Sequence, residues 1–280
     1  MVNQKELNPD GSPREAYGAR LRRLREARGW KQEDLAEQVG CSSQHISAVE
    51  TGRKPPTLRF SRSLDAAFGM TGDSAEAFER EWRDIRHGSM LEGFSSYVEQ
   101  EGRAVEIRVF ETGVIPGLLQ TQEYAKVLAD SAAQRRAITP QQANERVSFL
   151  MERQQALVRR RPPMLFVVMD ESCLRRPIGG RAVMEAQLDR LLTFAASPTT
   201  VLQVAPFSIG ERRTLNLPVN VLTMADRSVM AYAESQAQGH LDRDPTSVLP
   251  MLTAYHQLQG EVLSQPASVD MINQVRKGNS

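Results

Sequence analysis

Apolar residues recur at helical spacing through the first part of the chain. Tyr17, Leu21 and Leu24 fall at i, i+4 and i+7; Leu35, Ala36 and Val39 form a second edge, Ile46 and Val49 a third, and Leu58, Leu64 and Phe68 a fourth. The breaks between these edges carry helix punctuation. Ser12-Pro13-Arg14-Glu15 offers a capping serine, a proline at the first helical position and a glutamate at the third. Ser42 and Thr57 stand where new helices need caps. Gly40, Gly52 and Gly69 stand where helices end and a positive φ is useful. A further stripe of Phe78, Trp82 and Ile85 predicts a helix over Ala75 to His87, which either completes this helical head or connects it to the remainder of the chain.

The pattern then changes. Val105, Ile107 and Val109 alternate with Glu106 and Arg108, the period of a half-buried strand. Helical patterns come next over Thr121–Asp130 and Pro140–Arg160, the second stopped by Pro162-Pro163. Met164–Met169 reads as a core strand, Arg181–Ala196 as an amphipathic helix and Thr200–Val204 as another strand. Val219–Met224 and Val229–Ala233 read as a hairpin around Ala225–Ser228, before two helices near 245–263 and 266–276. The expected fold class is therefore α+β multidomain: an all-α head over residues 1–70, a helical linker over 71–93, and a mixed α/β domain over 94–280.

Composition narrows the function. A chain of 280 residues fits two domains, and 40% apolar with 25% charged residues is ordinary globular protein. The net charge is +1, but residues 1–70 hold 12 Lys/Arg against 9 Asp/Glu, so the head is basic and the remainder slightly acidic. Two cysteines, Cys41 and Cys173, exclude a disulfide scaffold. No C-x-x-C, His-rich or H-E-x-x-H spacing occurs, so no metal ligand is expected. The longest apolar run, Met164 to Met169, is too short to span a bilayer, and the first residues lack a hydrophobic signal core; a cytoplasmic protein without membrane contact is expected.

An enzyme finds little support. Asp170-Glu171 ends a core strand, but neighbouring strand residues point to opposite faces, and Glu171 suits the start of the next helix. His45, His87, His240 and His256 are scattered, no serine sits in a nucleophile elbow, and Gly179-Gly180 lacks a G-x-G-x-x-G frame. No catalytic residue and no cofactor is expected.

The stretch from Trp30 to Lys54 is the most informative. It reads as two short helices joined at Gly40, the second with a dry back of Ile46 and Val49 and a front of short polar residues, Ser43, Gln44 and Ser47. Such a helix can enter a major groove. The pattern Gln32-x-x-Leu35-Ala36-x-x-Val39-Gly40-x-Ser42-x-x-x-Ile46-Ser47-x-x-Glu50-x-Gly52 resembles the Cro/repressor-like helix-turn-helix domains of the Xre group over residues 17 to 68. The resemblance implies that Gln32 bonds a phosphate, and that Ser43, Gln44 and Ala48 face the groove. Gln44 is suited to adenine and Ala48 to a thymine methyl. His45 and Ser47 are expected at the edge, Arg53 and Lys54 on the DNA backbone, and Ser42 as a cap. Lys31 stands where the family often has Ser or Thr, and caps poorly. Glu50 is expected to pair with Arg25. Of the other first-helix arginines, Arg14, Arg20, Arg22, Arg23 and Arg28, some are expected near DNA phosphates and others on a solvated face. Few base contacts per copy imply a homodimer on an inverted repeat in double-stranded DNA.

A second resemblance covers most of residues 93–275. It rests on Val105 to Ala125, Arg146 to Arg153, Asp170 to Gly180 and Gln203-Val-x-Pro-Phe207. These segments resemble the C-terminal domain of actinobacterial Scr1- or WhiJ-like, antitoxin-like regulators; Glu211 to His240 departs most. The resemblance implies a transcriptional regulator encoded beside a small partner protein. The leading reading of this domain is capture of a small partner protein, with sensing of a small-molecule effector as the alternative. An exposed apolar patch favours the first and an enclosed cavity with a few polar groups the second. Arg175-Arg176 would suit an acidic partner or an anion, or stand solvated.

Overall fold

The computed structural model describes residues 13–70, 77–87, 93–235 and 238–278. The chain divides into two compact units, Met1–Gly88 and Ser89–Ser280. The Ser12 cap expected from the sequence lies outside the described residues.

The first unit is all-α: α1 (Pro13–Ala27), α2 (Gln32–Val39), α3 (Ser43–Glu50), α4 (Leu58–Phe68) and α5 (Ala77–His87). The apolar edges converge on one core, in which Leu21, Leu35, Ile46, Leu64 and Phe78 are fully buried. Each such side chain stabilises the fold by roughly 1.5–3 kcal/mol relative to exposure. The helix α5 packs on α1 and α4: Phe78 lies edge-on to Tyr17 at 5.2 Å and against Phe68 at 5.7 Å. The Asp65 carboxylate accepts the Phe78 and Glu79 backbone N–H groups at 2.9 and 3.0 Å, tying the start of α5 to α4. Gly18 brings α1 against the end of α3, because a Cβ there would lie 2.6 Å from the carbonyl oxygens of Val49 and Glu50.

The second unit contains α6 (Phe94–Glu101), β1 (Glu106–Glu111), α7 (Gln122–Gln134), α8 (Pro140–Arg153), β2 (Met164–Asp170), α9 (Ser172–Arg175), α10 (Arg181–Ala195), β3 (Thr200–Ala205), β4 (Val219–Thr223), β5 (Val229–Glu234), β6 (Gly239–Asp242), α11 (Pro245–Glu261) and α12 (Gln265–Gly278). The six strands form one sheet in the order β3-β2-β1-β4-β5-β6. The pairs β1–β2 and β2–β3 are parallel, whereas β1–β4, β4–β5 and β5–β6 are antiparallel. With the helical first unit this is an α+β multidomain chain.

The sheet is covered on both faces. Ile107, Val109, Val167, Val204 and Leu222 face a core shared with α7, α10 and α12. Phe110, Val168, Val221 and Ala231 face a second core built with Val248, Tyr255 and Leu258 of α11. The strand expected to be half-buried is thus central: Phe110 is as buried as Ile107, and burial on two faces replaces alternation at the end of β1. Val105, expected to point inward, lies before β1 and is 42% exposed. The expected hairpin is present, turned by Arg227 at φ 72° and by the Asp226 carboxylate, which accepts the Ser228 N–H at 2.9 Å.

The expected long helix Pro140–Arg160 is shorter, ending at Arg153. The chain tightens there into a 3-10 turn over Gln154–Leu157. Tertiary bonds set that stop: the buried Gln154 amide donates to the Gly117 and Gln120 carbonyls, both at 2.9 Å, and its oxygen accepts from Arg190 at 2.7 Å. Asp170 and Glu171 are tied locally. Asp170 accepts the Ser172 N–H and pairs with Arg213, both at 2.9 Å, while Glu171 pairs with Arg175 and accepts the Phe207 N–H at 2.8 Å.

Candidate nucleic-acid interface

The presentation of α3 starts with its caps. Gly40 adopts φ 68°, ψ 44°, ends α2 in the left-handed region and lets the Cys41 N–H reach the Ala36 carbonyl at 2.9 Å. Ser42 Oγ accepts the His45 N–H at 3.2 Å, which starts α3. At the start of α2 the Lys31 ammonium has no acceptor to offer. Asp34 instead reaches back, and its carboxylate accepts the Lys31 N–H at 2.7 Å.

The back of α3 is dry. Ile46 and Glu50 are fully buried and Val49 is 1% exposed. Glu50 is the centre of a polar network that fixes the motif. Its carboxylate accepts from Arg25 Nε at 2.6 Å, Arg25 Nη2 at 3.1 Å and Gln32 Nε2 at 2.8 Å, with Arg22 Nε at 3.8 Å. Arg25 also donates to the Trp30 carbonyl at 2.8 Å. The expected Glu50–Arg25 pair is therefore present, and it joins α1, the start of α2 and the end of α3. The bidentate hydrogen bond to Glu50 raises the Arg25 pKa above its ordinary value.

The nine residues expected at DNA occupy one contiguous stretch apart from Gln32. Gln44, Ser42, Arg53 and Lys54 are exposed, while Ser43, His45, Ser47 and Ala48 are half-buried. Gln32 donates to Glu50 in the free chain, so its amide belongs to the network as well as to the surface. His45 stacks edge-on against Phe60 at 4.9 Å, and burial with nearby Lys54 lowers its pKa. Arg53 donates to Thr51 Oγ1 at 3.0 Å.

The arginines of α1 and Arg28, just past its end, are mostly engaged within the unit. Arg20 pairs with Glu81. Arg28 caps the end of α4 through the Phe68 carbonyl at 2.7 Å and lies over the Trp30 ring at 5.3 Å. Sequence spacing alone could not separate these from phosphate ligands, because their partners lie on α4 and α5.

Residues that sequence reading missed surround a cavity of about 320 Å³ in the second unit. Alternation along three neighbouring strands puts Val109 and Glu111 of β1, Asn220 of β4, and Tyr232 and Glu234 of β5 on one face. Val109, Asn220 and Tyr232 form one row across the sheet. Pro218, just before β4, lacks the N–H that would extend the ladder. The segment Val114–Leu118, within the Val105 to Ala125 motif, closes the other side. Glu111 accepts the Thr112 N–H at 2.9 Å, and burial raises its pKa to about 7, with Glu234 adding in the same direction. Glu234 accepts the Tyr232 hydroxyl at 2.9 Å. Arg153 also borders the cavity, but it is locked bidentately to buried Glu101 at 2.5 and 2.6 Å. Tyr97 donates to that same carboxylate at 2.5 Å. Among the described residues no group of three or more His, Cys, Asp or Glu could hold a metal ion.

A helical unit that buries the back of α3 and leaves its front open is a helix-turn-helix domain, and residues 16–78 match the family model described as Helix-turn-helix domain. This is the module of a DNA-binding regulator. Residues 94–274 match the model described as Domain of unknown function (DUF5753), and the chain belongs to that family. No curated protein and no solved structure matches the chain. No helix among the described residues is long and apolar enough to cross a membrane.

Proposed function

We propose that the protein is a sequence-specific transcriptional regulator of the Xre type that binds an inverted repeat as a homodimer in the cytoplasm. One observation carries this reading: α3 has its back sealed by Ile46, Val49 and Glu50 and presents exposed Gln44 with half-buried Ser43, Ser47 and Ala48 on its other side. Gln44 and Ala48 read base edges, Ser43 and Ser47 support them, and His45 borders the groove. Arg53, Lys54 and the second N–H of Gln32 hold phosphates, while Ser42 fixes the start of the helix. The division of labour follows the two units: Met1–Gly88, whose α5 packs on α1 and α4 where a linker over 71–93 was expected, reads DNA, and Ser89–Ser280 carries the signal.

For the second domain, which resembles the Scr1/WhiJ-like, antitoxin-like regulators, two occupants are in play. The half-open cavity of about 320 Å³, lined by a few polar groups, supports a small-molecule effector over a small partner protein. Arg175, which would suit an acidic partner, is paired with Glu171. Fluorescence anisotropy on duplexes from the DNA upstream of the protein's own gene tests the regulator reading. The expected result is binding that weakens steeply with salt, with the logarithm of affinity falling by about 0.9 per phosphate neutralised for each decade of salt. A protein that ignores every duplex at low ionic strength overturns it. Co-purification of a stoichiometric small protein would return the partner to first place.

A further inference from the structure

We propose that the cavity at the end of β1 is a binding site for a small organic cation, an amine carried on an apolar or aromatic body. The inference deepens the effector reading of the second domain and rests on it for its regulatory meaning.

Topology supplies the place. The strands β1, β2 and β3 run parallel, and the connections step from β1 to β2 and β3 before the chain returns to β4 on the other side of β1. Open sheets of this kind leave a crevice at the carboxyl end of the strand where the order switches, and Glu111 is the last residue of β1. The volume sits at the lower end of the range for small-ligand sites.

Charge selects the ligand. Among the described residues neither Glu111 nor Glu234 makes an ion pair; their partners are the Thr112 N–H and the Tyr232 hydroxyl. The cation at the rim, Arg153, is already neutralised by Glu101 and lies over the Phe94 ring at 5.1 Å. Two carboxylates in an apolar surround, left without a cation of their own, disfavour the empty ionised cavity. An ammonium between them would relieve that repulsion, with Phe94, Tyr232 and Ile115 to enclose its body. Arg146 does not line this cavity; it borders two neighbouring ones of about 270 and 190 Å³, the first of which Glu234 also lines.

The same groups give a pH signature. Around Glu111 stand Glu234 on β5, Arg153 on α8 held by Glu101, the Tyr124 hydroxyl on α7 and the Cys173 thiol on α9, pushed up to about 12 by burial. Arg176 acts on Tyr124 from the same side. None of these cations is bonded to Glu111, which ionises near pH 7 in the empty protein. A bound ammonium favours the ionised form, so binding tightens as pH rises through that value.

The test is calorimetric titration of the full chain, without DNA, using 2-phenylethylamine, 2-phenylethanol and phenylacetate, which differ chiefly in charge. We expect the amine to bind about tenfold more tightly than the alcohol or more, a difference of one ion-pair contact. Phenylacetate should bind least, and the amine preference should collapse in Glu111→Gln with Glu234→Gln. A cooperative melting transition at acid pH, where Glu111 is protonated in both states, would establish that this double variant is folded. Tightest binding by phenylacetate, an amine preference that survives in the double variant, or no binding by any of the three overturns the site. Operator affinity measured alongside separates the two levels. Amine binding that leaves DNA affinity unchanged keeps the site and overturns the effector reading. A DNA response that persists in the double variant keeps the effector reading and overturns the site.

Discussion

The two units treat a buried carboxylate in opposite ways. Glu50 in the first unit has no exposed surface and is saturated by Arg25 and Gln32. Glu111 in the second is largely enclosed yet has no cation, and its pKa climbs to about 7. Within the second unit itself Glu101 repeats the Glu50 solution, with Arg153 and Tyr97 as partners. The difference separates two uses of buried charge. A saturated carboxylate fixes geometry, here the angle at which α3 leaves the fold. An unsaturated one weakens the fold at neutral pH and leaves room for a partner from outside, the trade expected at functional sites.

The largest effect comes from breaking the saturated network. Glu50→Ala strands the Arg25 guanidinium in a buried place, and removing one partner of a buried pair costs about 3–5 kcal/mol. Chemical denaturation monitored through Trp30 and Trp82 fluorescence should show the first unit melting early, with DNA binding lost in parallel. A variant of unchanged melting temperature would sink the structural role assigned to Glu50.

Glu111→Gln should act in the opposite direction. The folded-state pKa lies near 7, above the ordinary carboxylate value, so the folded chain holds a proton that the unfolded chain gives up. Stability from this group is therefore complete at acid pH and is lost as pH rises through about 7. The glutamine variant cannot lose that proton. It should gain about 2 kcal/mol at alkaline pH and nothing at acid pH, at roughly 1.4 kcal/mol per pKa unit discounted for partial exposure. Melting curves at both ends of the range check this; a variant less stable than the parent at alkaline pH contradicts it.

Smaller effects belong to the open face of α3. Gln44→Ala should leave stability unchanged and weaken binding to the preferred operator by about 1–3 kcal/mol, with little loss on random duplex. Lys54→Ala should lower affinity for all sequences alike and reduce the salt slope by about 1. Equal losses on specific and random DNA for both variants would erase the distinction between reading and anchoring.

The first unit was legible because its signals are local. Gly40, Ser42, Gly52, Thr57 and Gly69 punctuate helices whose apolar edges all face one core, and even the Arg25–Glu50 pair came from the family pattern. In the second unit the strands with clear apolar runs were legible, but α6 and β6 were not. The β6 sequence Gly239–Asp242 is four residues long at the sheet edge, and its first glycine exists to pass the Tyr232 ring: a Cβ there would lie 2.0 Å from the hydroxyl. The end of α8 was set by Gln154 reaching carbonyls more than thirty residues away, which no local pattern encodes. The cavity was hidden for the same reason. Glu111, Asn220 and Glu234 are separate in sequence and meet through strand register. A hint existed in a glutamate ending a strand after Val109 and Phe110, but nothing marked where its side chain would go.

Selection of duplexes from a randomised pool by the full-length protein, with sequencing of the bound fraction, tests the central claim most directly. The expected outcome is enrichment of an inverted repeat whose half-sites are about one helical turn apart, with Gln44→Ala relaxing one position in each half. A pool that emerges unenriched at low salt, or one that Gln44→Ala leaves unaltered, contradicts the assignment of α3 as the reading element.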